Sequence, residues 1–449
     1  MRIRQREAVP PPTGMLVAAS APMNRRGTGL TRRGMLRTTG AVSVASALGA
    51  LGAGCRQTDR VAAEVTDTAP VKMPRLFAPS ERESTEMPAP LAWEQRIGFA
   101  IVGLGRLSLD ELLPAFAQSK RAKLVALVSG DAGKAAKVAA QYGVPRKSIY
   151  DYKSYDRLKD DEAVQVVYIV LPNSMHAEYT VRAAQAGKHV LCEKPMANSV
   201  TECQQMIDAC KAANKQLMIA YRMQYEPYNR ELIRLARGGE LGKLKAFSTT
   251  NGQHQGEPNQ WRLKHALSGG GALPDIGIYC LNAARYLSGE EPIEVQAMQF
   301  STPNDPRFTE VEEQMNFNLR FPSGFMASAI TSYTVHETKP FRLLGETAWA
   351  ELDPAYSYRG QSMRIARKRI GSSIEAIEAP RLEAKNQFAL ELDHMASCVR
   401  ENRRPHTPGE EGMQDMRIIA ALYESARGGN TVKLPPVQGL DAFRGPTPS

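Results

Sequence analysis

The rhythm of apolar and polar positions changes three times along this chain. Residues 41–53 form a mild apolar run of Ala, Gly, Val, Ser and Leu, and the stretch after it, 56–95, is rich in Pro, Glu, Ser and Thr with no apolar period. Between 96 and 221, short apolar runs alternate with stretches of helical spacing. The pattern predicts strands over 96–103, 123–128, 166–171, 189–192 and 216–221, with helices over 109–118, 132–142, 175–186 and 201–213. Strand and helix in strict turn imply an α/β fold, a doubly wound parallel sheet of Rossmann type. From Lys243 onward the rhythm alters. Leu244, Ala246 and Phe247 alternate poorly; 314–321 and 325–333 then read as antiparallel strands joined by Pro322-Ser323-Gly324, and 341–352 continues strand-like. Helices over 388–400 and 413–426 are expected to pack back on the first half. The expected architecture is an N-terminal Rossmann domain over 96–221 and a C-terminal α+β domain over 222–440 with a mostly antiparallel open sheet.

Length and composition fit that plan. The 449 residues, 43% hydrophobic and 23% charged, exceed what one compact core takes, and 6 Cys are too few for a disulfide-stapled scaffold. Cys192, Cys203, Cys210, Cys280 and Cys398 read as buried free thiols. The formal net charge of +10 is misleading, because residues 1–54 alone contribute +7 and leave only +3 for the remainder. No basic surface needs explaining, so nucleic acid is excluded as a partner. The charge belongs to an address. Thr31-Arg32-Arg33-Gly34-Met35-Leu36-Arg37 precedes the apolar run, the signature of twin-arginine export, and the periplasm is the expected destination. The run is too short and too rich in Gly and Ala to hold a bilayer well. A start at Met23 would give this signal segment, 1–55, an ordinary length. Gly52-Ala53-Gly54-Cys55 resembles a lipoprotein cleavage box without its usual Leu, so lipidation of Cys55 and simple cleavage nearby both stay open, and membrane attachment is expected only with the lipid. The segment 56–95 is a linker or an arm that packs on something else.

Three motifs carry chemistry. Gly103-Leu104-Gly105-Arg106-Leu107-Ser108 follows the first strand and opens a helix, where a pyrophosphate meets free N–H groups; Ser108 replaces the third glycine of the dinucleotide fingerprint. The end of the second strand chooses the cofactor. An acid there would hold the 2′-hydroxyl of NAD, but the position is Ser129, with Lys134 one turn into the next helix and Arg106 in the glycine loop. A hydroxyl and two cations favour NADP. Cys192-Glu193-Lys194-Pro195 ends a strand at the ligand edge of the sheet, where Lys194 can polarise a hydroxyl or carbonyl. Downstream, Asp275 and Tyr279 stand four apart, and a Tyr beside an ammonium can pass a proton to or from an alcohol.

Together these motifs resemble the glucose–fructose oxidoreductase (Gfo/Idh/MocA) family. The resemblance runs from about Gly98 to Leu434 and includes Ile149-Tyr150-Asp151-Tyr152, Leu171-Pro172-Asn173-Ser174, Gly187-Lys188-His189-Val190, Gln260-Trp261-Arg262-Leu263 and Pro408-Gly409-Glu410-Glu411-Gly412-Met413-Gln414-Asp415. It implies an enzyme that holds NADP tightly and works by ping-pong hydride transfer, oxidising an aldose at C1 to the lactone and reducing a second sugar to an alditol. It implies Lys194, Asp275 and Tyr279 as the catalytic set, with Tyr279 as acid/base. Cofactor contacts implied are Gly103, Leu104, Gly105, Arg106, Leu107, Ser129, Lys134, Tyr152, Leu171, Pro172, Asn173, His176, Glu193, Lys194, Arg222, Trp261, Arg262 and Tyr358. Small-molecule sugars are the implied partners, with a homo-oligomer, dimer or tetramer, formed through the C-terminal sheet. Cys280, Arg222-Met223-Gln224-Tyr225 and 251–259 depart from the family pattern and leave the sugar pair open, including whether fructose is the acceptor. Two rivals remain: an exported NAD-dependent glycosidase of the same fold, and a non-catalytic nucleotide-holding protein. The acid-free end of the second strand and the Asp275/Tyr279 pair disfavour the first; intact Lys194, Asp275 and Tyr279 disfavour the second.

Overall fold

The computed structural model describes residues 92–448 apart from 369 and 370; the signal segment, Cys55 and nearly all of the arm lie outside them. The first sheet is built from β1 (Ile97–Val102), β2 (Ala122–Val128), β3 (Ile149–Tyr150), β4 (Val166–Ile169), β5 (His189–Glu193) and β6 (Leu217–Ala220), all parallel, in the order β3-β2-β1-β4-β5-β6. Every residue of β1 is buried, as its unbroken apolar run requires of a strand covered on both faces. Between the strands run α1 (Leu113–Gln118), α2 (Ala132–Tyr142), α3 (His176–Gln185) and α4 (Val200–Ala212). Asp131 caps α2 by accepting from Lys134 N, and Ser199 caps α4 by accepting from Glu202 N. The two-residue β3 was not among the predicted strands.

After α5 (Pro227–Arg237) the second half forms one ten-stranded sheet. Its members are β7 (Leu244–His254), then, beyond α6 (His265–Ser268) and α7 (Ile278–Ser288), β8 (Glu294–Phe300), β9 (Gln314–Arg320), β10 (Met326–Ser332), β11 (Thr334–Thr338), β12 (Phe341–Gly345), β13 (Ala348–Leu352), β14 (Met363–Lys368) and β15 (Glu375–Glu378), with β16 (Val432–Lys433) after α8 (Gln387–Glu401) and α9 (Gly409–Gly428). The order is β15-β14-β13-β12-β7-β10-β9-β8-β16, with β11 also paired to β7. All pairs are antiparallel except β7 with β10. The sheet is thus mixed but mostly antiparallel. The weakly alternating 244–247 opens its longest strand, and the run 341–352 is a hairpin of two strands rather than one.

Met315, Phe317 and Leu319 of β9 point into the core while Asn316, Asn318 and Arg320 face out, a period of two read directly as a half-buried strand. The two last helices return to the first half. Phe388, Leu392, Met395 and Ala396 of α8 share a core with Phe99 of β1, Leu124 of β2 and Phe116 of α1, while α9 packs against α4 and β6. All five described cysteines are buried and free. Among the described residues no helix is long and apolar enough to cross a membrane, and no cluster could hold a metal ion.

A buried charge network locks α7 to α9. Arg285, wholly buried, pairs with Glu291 (Nε–Oε2 2.7 Å), with Glu411 (Nη2–Oε2 2.8 Å) and with Asp415. Arg444 joins from the tail at 3.1 Å from Glu411, and Asn282 and Gln224 donate to the same carboxylate. Burial disfavours both carboxylates; the two guanidiniums outweigh it and hold Glu411 well below the usual range, whereas Asp415, also facing the Glu411 charge, is pushed up. Arg285→Met should therefore cost about 3–5 kcal/mol, because three acids lose their central partner without regaining water. Urea unfolding checks this, and a loss below about 1 kcal/mol, the scale of a surface pair, would deny the network that weight.

Candidate active site

The glycine loop leaves β1 at Gly103, whose φ of +97° and whose missing Cβ, which would lie 2.3 Å from Val170 O, both require glycine. A Cβ on Gly105 would meet nothing within 4 Å, so here the backbone faces open space, as a cradle for a pyrophosphate must. Ser108, in the third glycine's place, is buried and donates to Gly103 O at 2.6 Å, closing the loop from behind. The helix then begins with a wide π turn, Ser108–Leu112.

At the end of β2, Ser129 is buried and accepts from Asp131 N at 3.2 Å, while Lys134 reaches back to Leu104 O at 3.4 Å. Tyr152 lies against Gly130, where a Cβ would approach its ring to 3.0 Å. Ser129, Lys134, Tyr152 and the glycine loop therefore converge. Asp131 is the acid nearby, and its carboxylate is committed to capping α2. Leu171 packs under Gly103, and Asn173 donates to Ser268 O at 2.8 Å across to the second half.

Other expected contacts are placed differently. His176 is fully buried, with Nδ1 2.9 Å from Pro195 O and Nε2 2.9 Å from Leu171 O; it ties two strand-end turns together and shows no edge to a ligand. Burial lowers its pKa, which keeps the ring neutral. Glu193 turns inward to accept from Tyr168 Oη at 2.8 Å, and burial raises its pKa. Arg222 is buried and donates to Gln387 Oε1 (2.6 Å) and Tyr356 O (2.7 Å), with its guanidinium 4.9 Å from the ring centroid of Tyr279 and 4.5 Å from that of Tyr358. His176, Glu193 and Arg222 are thus each held by partners within the protein, and they shape the site from within.

The catalytic candidates meet. Lys194 Nζ, at the C-terminal end of β5, donates to Asp275 O at 2.6 Å, lies 3.4 Å from Asp275 Oδ1 and stands 4.7 Å from the Tyr279 ring centroid. Arg262, stacked over Trp261 at 4.6 Å, pairs with Asp275 Oδ2 at 3.1 Å, and Tyr333 Oη donates to the same oxygen at 2.7 Å. Burial would raise the Asp275 pKa; Arg262, Lys194 and the Tyr333 hydroxyl outweigh it and hold the carboxyl at about 2. Asp275 sits in a second π turn, Leu273–Gly277, directly ahead of α7, which carries Tyr279.

Sequence reasoning missed what holds that turn. Glu312 accepts from Gly271 N and Leu273 N, both at 2.8 Å, and from Tyr423 Oη at 2.9 Å. A Cβ on Gly270 would lie 2.0 Å from Tyr423 Oη and one on Gly271 2.0 Å from Glu312 O, which explains the triple glycine. The glycine run was the available signal; its partners are single residues some forty and a hundred and fifty positions away.

Comparison with known proteins bears on this geometry. A family model described as "Oxidoreductase family, NAD-binding Rossmann fold" matches residues 97–221, and one described as "GFO/IDH/MocA C-terminal domain" matches 229–351. The D-xylose 1-dehydrogenase [NADP(+)] of Haloarcula marismortui is 31% identical over 350 residues, 76% of this chain and 94% of that protein. The D-xylose 1-dehydrogenase (NADP(+)) 2 of Haloferax volcanii is 29% identical over 75% of this chain and 99% of its own. The crystal structure of aldose-aldose oxidoreductase from Caulobacter crescentus, complexed with glycerol, superposes with a TM-score of 0.73 at 47% identity, covering 76% of this chain and all of that one.

The depressed pKa of Asp275 sets a pH signature. Its contribution to stability is fully present above the unfolded carboxyl value, near pH 4, and is lost as pH falls through about 2. The difference in unfolding free energy between wild type and Asp275→Asn should stay constant from about pH 7 to 5 and shrink toward pH 2. A difference unchanged at pH 2.5 in a urea series would show that Asp275 is not held by these cations.

Proposed function

The chain belongs to the Gfo/Idh/MocA oxidoreductase family, and from that premise we propose that it is an NADP-dependent sugar oxidoreductase of the glucose–fructose or aldose–aldose type with a tightly held cofactor. One aldose is oxidised at C1 to its lactone, and a second sugar is reduced to an alditol on the same cofactor, in ping-pong order. The observation that carries this reading is the Lys194–Asp275–Tyr279 cluster at the ligand edge of the first sheet. The 47% identity to an aldose-aldose oxidoreductase supports the sugar class. NADP is supported by Ser129 after β2, by Lys134 in the first turn of α2 and by the two xylose dehydrogenases.

The residues that would hold the dinucleotide are the glycine loop, Ser129, Lys134, Tyr152 and the turn at Leu171–Asn173. When bound, NADP supplies the two-electron oxidant for one sugar and, once reduced, the reductant for the next. The chain supplies proton handling and orientation. Lys194 donates to the reacting sugar oxygen, held in place by Asp275. Tyr279 accepts the C1 hydroxyl proton in the first half-reaction and returns a proton to the carbonyl oxygen of the second sugar. Arg262 and Trp261 border the same space.

The segment 31–53 supports export to the periplasm by the twin-arginine route. A cofactor that leaves with the folded protein has no cytoplasmic pool to renew it, and a second sugar then resets it. The outer face of the second sheet, with Met298, Phe300, Met326 and Ile330 exposed, supports a homo-oligomer built across that face.

The test is to denature purified protein and identify the released nucleotide, then add an aldose alone to intact protein. One equivalent of reduced cofactor should form and persist until a second sugar discharges it. Protein that arrives empty and needs millimolar NADP would overturn the retained-cofactor reading. Tyr279→Phe should leave nucleotide bound and slow turnover by about two to four powers of ten; near-normal turnover would remove Tyr279 from the mechanism. Ser129→Asp sets a carboxylate beside a 2′-phosphate and should weaken NADP relative to NAD. Unchanged relative affinity, measured by competition, would defeat the selectivity argument.

A further inference from the structure

Arg222 is a buried cation with no acid in contact. It opens the short turn after β6 and is 4% exposed. Among the described residues every atom it donates to is neutral: Gln387 Oε1 at 2.6 Å, Tyr356 O at 2.7 Å, Met223 Sδ at 3.1 Å and Ser357 O at 3.5 Å. Its Nε is buried without a partner. Three carboxyls act on it through space rather than by contact: Glu193 at the end of β5, Glu226 at the start of α5 and Glu391 in α8. Burial raises the pKa of all three, toward the neutral form. The rest of its surroundings are aromatic. The guanidinium carbon lies 4.9 Å from the Tyr279 ring centroid, 4.5 Å from that of Tyr358 and 5.7 Å from that of Phe388. Burial works against the charge, yet the Arg222 pKa is raised, with Tyr279 the strongest of the groups that favour it.

Tyr279 is thus flanked by two cations whose duties differ. Lys194 Nζ, 4.7 Å from the ring centroid, spends its contacts on Asp275, and in the proposed reaction it also faces the sugar oxygen. Arg222 has no acid in contact to neutralise it. We propose that Arg222 is a positioning residue that acts through Tyr279, fixing its ring and balancing the negative charge its oxygen carries between proton transfers. The proposal rests on the reading of Tyr279 as acid/base. Attraction between charges is mutual, so a guanidinium beside the ring stabilises whatever negative charge forms on the phenol oxygen. The other titratable groups near the ring do not supply this. Asp275, four residues earlier, is paired with Lys194 and Arg262. Burial pushes the Cys280 thiol up to about 12 and the Tyr356 phenol well above its ordinary value, so neither is charged at neutral pH. The Tyr356 ring lies 6.0 Å from that of Tyr279, and Arg222 holds its backbone carbonyl as well.

The test follows Tyr279 by NMR in purified full-length protein labelled with tyrosine carrying 13C at Cζ, its signal identified by its loss in Tyr279→Phe. In Arg222→Gln and Arg222→Met the signal should titrate about one to two pH units higher than in wild type. The pH dependence of cofactor reduction by an aldose, in single turnover, should move up by the same interval. Arg222→Lys, which keeps the charge but not the fork, should recover most of the wild-type profile. Gln387→Met removes the neutral partner and keeps the charge, so its profile should match wild type even where its rate falls. Two neutral variants are used so that a folding failure in one leaves the other to decide. A wild-type signal that titrates no lower than that of the neutral variants, or an equal shift in Gln387→Met, would overturn the proposal. Tyr279→Phe separates the two readings. Near-normal turnover there removes Tyr279 from the mechanism, whereas lost turnover with an unmoved profile in Arg222→Gln removes Arg222 alone.

Discussion

The site depends on one carboxylate. Asp275 presents its two oxygens to Lys194, Arg262 and Tyr333, which come from the edge of the first sheet, from the turn Trp261–Leu263 and from the end of β10. Three elements far apart in sequence are thereby brought to within hydrogen-bond distance of one group. Two cations converging on a buried spot would repel each other and lose solvation; a single anion between them offsets both costs. With Asp275 in place, the ammonium of Lys194 is fixed 4.7 Å from the Tyr279 ring. The protein invests its rigidity here, since proton transfer tolerates little error in the distance between donor and acceptor.

That carboxylate needs a rigid mount, and the second half supplies it in layers. Glu312 and Tyr423 clamp the triple-glycine turn that delivers Asp275. Behind them, Arg285 binds α7 to α9, and α9 lies on α4 and β6. The chain of contacts runs from the reacting groups to the core of the other half without passing through an exposed loop.

The first half was legible because its physics is local. A strand buried on both faces must be apolar throughout, so 123–128 reads plainly and the strand runs Ala122–Val128. The second half was legible only where one face is wet, as in β9. The strand β7 escaped because its inward face carries Thr249 and Asn251, whose side chains hydrogen-bond to Tyr356 Oη at 2.5 Å and, through Asn251 Nδ2, to Ile276 O at 2.9 Å; burial without apolarity leaves no periodic signal. In the site, Lys194, Asp275 and Tyr279 stood in motifs and the structure brings them together. Glu312 and Tyr333 had no motif, because each acts through a partner set by tertiary packing. His176 shows the converse: a motif residue whose position serves the joint between two turns.

The return of α8 to β1 and β2 has a bearing on the order of events at the ribosome. Phe99 and Leu124 are translated early, yet Phe388 and Leu392, which cover them, emerge nearly three hundred residues later. At about 5–20 residues per second, the first sheet, whose last strand ends at Ala220, waits roughly 8–34 s with one flank bare. The core of the first half therefore cannot be completed before α8 has been made, and a chaperone able to shield that flank has a defined interval in which to act.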